Sequence, residues 1–67
     1  MTDGTVTSFD DRRGLGEITT NNGRVYPFHC TRIADGTRTI AVGTAVRFEV
    51  VPGALGRWEA ANIAKAS

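Results

Sequence analysis

Apolar and polar positions alternate with a period of two along most of the chain, which is the pattern of half-buried strands. Thr5 to Phe9, rich in β-branched and aromatic residues, predicts a first strand, and Asp10-Asp11-Arg12-Arg13 a polar turn. Leu15 to Thr20 predicts a second strand, with Gly16 and Ile18 on one face and Leu15 and Glu17 on the other. Asn21-Asn22-Gly23 tolerates positive φ and predicts a tight hairpin connection. Arg24 to Cys30 predicts a third strand that sets Tyr26 and Phe28 against Pro27 and His29. Thr31 to Val42 lacks a clean period and predicts a long connection, with one short helical turn at Thr31-Arg32-Ile33. In Ala45 to Val51, Val46, Phe48 and Val50 alternate with Arg47 and Glu49, the clearest strand of the chain. Pro52-Gly53 and Gly56 mark a turn, Trp58 to Ile63 predicts the last strand, and the tail from Ala64 to Ser67 is expected to fray.

Five short strands, a long connection after the third and no long helix predict an all-β fold with a closed sheet. For residues 1–67, read as one domain without repeats or linkers, the five-stranded antiparallel Greek-key barrel of the OB type fits well. Closure removes the exposed edges that invite aggregation. An SH3-like barrel competes on pattern alone.

Composition narrows the function more than the fold. A chain of 67 residues buries only a modest core. Cys30 is the single cysteine, so no intramolecular disulfide can form, and an unpaired thiol suits the cytoplasm. The first residues carry neither the basic segment nor the apolar run of a secretory signal, and no stretch has the length of a membrane span. Eight basic and seven acidic residues leave a net charge of +1, too balanced for a dedicated duplex binder. A single-strand binder needs less charge, because stacking supplies much of its affinity. Seven of the eight basic residues are Arg, which stacks and forks hydrogen bonds better than Lys.

No catalytic set is legible. The chain has one His and only two serines, Ser8 and Ser67. Gly14-Leu15-Gly16 is followed by a strand where a phosphate loop needs a helix, and no Cys/His set has metal-ligand spacing. The expectation is a protein without enzyme activity, metal or cofactor.

Gly4-Thr5-Val6, Phe9, Gly14-x-Gly16, Ile18, His29, Ile33, Gly36-x-Arg38-Thr39-Ile40, Gly43, Val46, Phe48-Glu49-Val50, Gly53 and Ala60-Ala61-Asn62-Ile63 stand in an order and spacing that resemble the bacterial cold-shock domain family. The resemblance runs over nearly the whole chain, with the long connection one residue short and the segment near Pro52 to Arg57 one residue long. It implies a barrel of cold-shock type that binds single-stranded RNA or DNA on an aromatic face of its second and third strands. Each base–aromatic stack contributes roughly 1–3 kcal/mol. Most of those rings are exchanged here. The family usually has Trp at the position of Ser8, and Phe at the positions of Leu15, Glu17, Pro27 and Cys30; an aromatic often found near Thr37 is also missing. Losing three or four stacks at ~1–3 kcal/mol each removes most of a micromolar affinity unless something replaces them.

The candidate nucleic-acid-binding residues are Phe9, Arg12, Arg13, Leu15, His29, Arg57 and Trp58. Phe9 and His29 are retained from the family's face. Arg12 and Arg13 occupy a turn where the family keeps a Lys, and either clamp phosphate or neutralise Asp10 and Asp11. Trp58, beside Arg57, is either a relocated stacking platform or a ring capping the barrel end; the usual burial of Trp favours the cap. Glu17 is the most adverse exchange, since a carboxylate repels phosphate, and its plainest role is an exposed strand residue paired with a nearby Arg. Tyr26 and Phe28 are expected in the core. Two functions follow. One is a single-strand binder weakened or altered by the lost rings. The other is a protein-interaction module, or homodimer, on a mildly apolar patch of Leu15, Pro27 and Cys30.

Overall fold

Five antiparallel strands carry the alternation into three dimensions in a computed structural model that describes residues 1–53 and 56–66. They are β1 (Thr2–Asp10), β2 (Leu15–Thr20), β3 (Val25–His29), β4 (Ala45–Pro52) and β5 (Trp58–Lys65), with a 3-10 turn at Cys30–Arg32. Ala54 and Leu55 of the expected turn and Ser67 of the expected tail lie outside the described residues. The sheet order is β3-β2-β1-β4-β5. Strands β1 to β3 form a meander and β4 returns beside β1, which is the Greek key of an OB-type barrel.

The inward set is apolar throughout: Val6, Ile18, Phe28, Ile33, Ile40, Val46, Phe48, Ala60, Ala61 and Ile63 are buried, and among the described residues no polar or charged one is. Tyr26 is half-buried and meets the Phe48 ring at a 5.6 Å centroid distance. Ile33 and Ile40 anchor the long connection, which is pinned further by Gly43 N–H donating to Val6 (2.7 Å) and Ala34 N–H to Ile63 (2.8 Å). Lys65 closes on Asp35 at 3.6 Å from the far strand.

Five expectations need correction. The barrel is not closed by a ladder. Its edge strands β3 and β5 lie side by side, and the link near them is one parallel bridge beyond β3, Ile33 to Ile63. Pro27, which has no N–H to donate, sits on edge strand β3, where no outer neighbour requires one. The first strand begins at Thr2 because Thr2 to Thr5 pair with β4 as well as reaching toward β2. The third strand stops at His29, and the helical turn starts one residue early, because the His29 ring caps it. The tail does not fray at Ala64: β5 continues to Lys65 and Ala66 N–H donates to Ala45 at 2.9 Å.

Two bulges set the side-chain phases. In β1, Val6 pairs with Ile18 and Ser8 with Glu17, so Thr7 is the extra residue. In β5 the shift falls around Asn62, whose φ of 50° is in the left-handed region that Asn tolerates. Asn62 turns outward while Ala61 and Ile63 on either side stay buried.

Gly16 carries the tightest approach relevant to the outer face. A Cβ there would lie 2.5 Å from Phe28 Cζ and 2.9 Å from Phe9 Cδ1. Gly16→Ala is therefore expected to destabilise by about 1–3 kcal/mol through overpacking, read from the denaturant midpoint; an unchanged midpoint contradicts the packing. The Asp35 carboxyl is held below its ordinary value chiefly by the Thr37 hydroxyl and then by the Thr37 amide, against an opposing desolvation that outweighs the further help of the Lys65 charge. A depressed carboxylate stabilises the fold above its unfolded value and loses that contribution as pH falls through the folded value. Asp35→Ala should thus lower the melting temperature at neutral pH, and the gap to the parent protein should shrink as the pH falls below the ordinary carboxylate range.

Candidate nucleic-acid interface

Cross-strand register assembles the outer face before any chemistry is considered. Leu15 pairs with His29 and Glu17 with Pro27 across β2 and β3. Asp10 pairs with Leu15 and Ser8 with Glu17 across β1 and β2. Directly paired residues share a face, so six side chains form two rows, Asp10–Leu15–His29 and Ser8–Glu17–Pro27. All six are at least partly accessible, and Leu15 is 40% exposed. A shallow groove of about 440 Å3 runs over this patch, with Arg13 and Glu59 on its rim.

The turn before β2 is built around Asp10. Its Oδ1 accepts from the backbone N–H groups of Arg12 (3.0 Å) and Arg13 (3.2 Å), and its carbonyl accepts from Gly14 N–H at 2.8 Å. The carboxylate is satisfied by backbone, so neither guanidinium is drawn onto it. Both arginines are exposed, and among the described residues neither forms an ion pair. Arg13 reaches the groove, whereas Arg12 does not line it. Gly14 adopts φ +65°, and a Cβ there would lie 2.8 Å from Cys30 Sγ. The bare glycine lets Cys30 tuck in beside the turn, where Cys30 N–H donates to Gly14 at 2.7 Å. The expected apolar patch therefore keeps Leu15 and Pro27 on the sheet face, while Cys30 sits in the 3-10 turn against Gly14.

His29 is held at the end of β3 by its own cap. Its Nδ1 accepts from Thr31 N–H at 3.2 Å and lies 3.0 Å from the Thr31 hydroxyl. An amide N–H can only donate, so the neutral ring carries its proton on Nε2. That leaves one ring donor free for the groove.

Trp58 corrects the expectation of a capping ring: it is 59% exposed. It begins β5, opposite Pro52, and stands at the seam where the sheet is left unclosed. A second groove of about 550 Å3 occupies this seam, with Val25, Tyr26 and Pro27 on one wall and Gly56, Arg57 and Trp58 on the other. Arg24 flanks it, and Glu17 and Pro27 line both grooves, so the two adjoin.

Phe9 takes a different place from Leu15 and His29. Simple alternation from Val6 would turn Phe9 outward, but the Thr7 bulge reverses the phase and pairs Phe9 with Gly16 on the inner side. Its half-buried ring stacks on Phe28 at 6.0 Å, with planes 15° apart. Glu17 has no Arg partner among the described residues; its Oε1 accepts from Ser8 Oγ at 3.3 Å. The sequence candidates Leu15, His29 and Arg13 thus meet on one groove, Arg57 and Trp58 on the adjoining one, and Phe9 and Arg12 on neither. Arg24, Tyr26, Pro27 and Glu59 line the grooves without having been among the candidates. Tyr26 had a readable signal, an aromatic body with a polar tip; Glu59 had none.

The fold is that of a partly open OB-type barrel bearing an accessible, mixed-polarity sheet face, the class of small oligonucleotide-binding domains. A family model described as 'Cold-shock' DNA-binding domain matches residues 2–66. The chain is also 41% identical over 58 residues to the cold shock-like protein CspA of Stigmatella aurantiaca (strain DW4/3-1), covering 84% of this chain and 85% of that protein. This chain belongs to the cold-shock domain family, a family of nucleic-acid-binding domains.

Long-range proton–nitrogen NMR near pH 8 should find the His29 proton on Nε2, and Thr31→Pro, which removes the amide donor, should release the mixed-tautomer pattern of a free imidazole. A proton on Nδ1 in the parent protein would contradict the cap.

Proposed function

We propose that this protein binds single-stranded nucleic acid, more weakly than a relative with the full set of rings, and without catalysis. The observation that carries the reading is the accessible Trp58 ring at the open seam, on a groove that adjoins the Leu15–His29 and Glu17–Pro27 rows through Glu17 and Pro27. One base stacks on the indole, with Arg24 and Arg57 at hand for the flanking phosphates. The strand then crosses Pro27 toward Leu15 and His29, whose Nε2–H supplies a hydrogen bond and whose ring supplies a smaller stacking surface. Arg13 takes a further phosphate at the turn. Phe9 acts from beneath, supporting Phe28 and hence the face, and contributes no platform of its own.

Family membership supports general nucleic-acid binding, and the stripped face supports a reduced number of stacks. The competing reading, an interaction module or homodimer, loses ground because Cys30 leaves the patch for Gly14 and Leu15 is its one strongly exposed large apolar residue. Single surface apolar residues are ordinary. The unpaired Cys30 thiol supports the cytoplasm as the place of action.

Trp58 is the only Trp, so its fluorescence reads the seam directly. A mixed-sequence single-stranded oligonucleotide at low salt should quench it saturably, and the affinity should fall as salt rises. Trp58→Ala, followed by polarisation of a labelled strand, should weaken binding about 5- to 150-fold, the worth of one stack. Neither quenching nor polarisation change at several hundred micromolar protein would reject single-strand binding; binding with unchanged affinity in the variant would reject Trp58 as the platform.

A further inference from the structure

We propose that Glu17 makes this face selective for bases that carry an amino group on their pairing edge, so that cytosine-bearing single strands bind ahead of thymine or uracil runs. The inference rests on the single-strand reading above and names the ligand class of the same site. Glu17 is the side chain at which the two grooves join, together with Pro27. Its neighbours across the strands are Ser8 and Pro27, and the one bond to its carboxylate among the described residues is the 3.3 Å contact from the Ser8 hydroxyl to Oε1. No Lys or Arg side chain pairs with it there. An ionised carboxylate accepts hydrogen bonds and cannot donate them.

The charge distribution says which part of a strand it meets. The groove over the rows is lined by Asp10, Glu17 and Glu59 against Arg13. The seam groove is lined by Arg24 and Arg57 against Glu17. Phosphates are drawn to Arg24 and Arg57 at the seam and to Arg13 at the turn, and away from the carboxylates between them, so what reaches Glu17 is a base edge. Cytosine presents an N4 amino donor to it, whereas thymine and uracil present the O4 acceptor at the same place. Acceptor against acceptor repels, and a carboxylate left without its donor beside Leu15 and Pro27 loses hydration for nothing. Exchange of a ring for Glu17 then trades general stacking for discrimination between two pyrimidines of similar size.

The test compares labelled oligo-dC and oligo-dT of equal length by polarisation at slightly alkaline pH, using the parent protein and Glu17→Gln. The parent should favour oligo-dC by about tenfold, the scale of one good polar base contact. Glutamine keeps the shape but both donates and accepts, so the ratio should fall toward one, mainly through tighter oligo-dT binding, with the melting temperature unchanged. Equal affinities in the parent, a preference for oligo-dT, or a ratio that survives in Glu17→Gln overturns the inference while leaving single-strand binding standing. Failure of both strands to bind the parent and the variant overturns the two together.

Discussion

Phe28 packs onto the bare backbone of Gly16, its Cζ within 2.5 Å of where a Cβ would stand, and this close approach holds β3 in register against β2. Side chains in a strand alternate, so a slip of one residue would send the whole outer set inward. With Phe28 seated, Ile18 and Tyr26 pair on the inner side, and Leu15, Glu17, Pro27 and His29 have only the outer side left. Phe9 adds to the same contact by stacking on Phe28. The outer face is thus a consequence of core packing.

The face owes its second half to a place where the sheet fails to close. Strands β3 and β5 approach without a ladder, and the gap between them becomes a groove walled by Tyr26 and Pro27 on one side and Trp58 on the other. Bulky Trp58 at the start of β5 sits where an edge can accommodate it without burying its indole N–H unpaired. Arg24 comes from the hairpin end of β3 and Arg57 from the approach to β5. Two arginines therefore gather at the seam, while the sheet rows gather carboxylates. A chain with a net charge of +1 can still present a basic channel beside an acidic one.

Much of the scaffold was legible in the residues. Val46, Phe48 and Val50 against Arg47 and Glu49 announced β4 as a strand with one buried side, and Asn21-Asn22-Gly23 announced the β2–β3 hairpin. The outward set Leu15, Glu17, Pro27 and His29 was legible too, because β2 and β3 run without a bulge and simple alternation holds. Phe9 and Trp58 were not. A bulge is one inserted residue whose cost depends on partners in two other strands, so Thr7 looks like any other strand residue until those partners are in place. The exposure of an aromatic at a strand start depends on whether the neighbouring edge closes over it, and the Tyr26 and Pro27 of that edge lie more than thirty residues away from Trp58 in the chain.

The sequence by itself determined the strand count and the apolar and polar sides of β2 to β4, because these are matters of local period and side-chain chemistry, and its resemblance to the cold-shock family implied that Leu15, Glu17 and Pro27 stand where stacking rings are usual. Tertiary structure alone decided that Phe9 turns under the face, that Trp58 stands free at an open seam, and that Glu17 joins the two grooves without an Arg partner. Those outcomes depend on bulges, on how far a curled sheet closes, and on which charges meet across strands. They are properties of chain segments distant in sequence, and no local pattern encodes them.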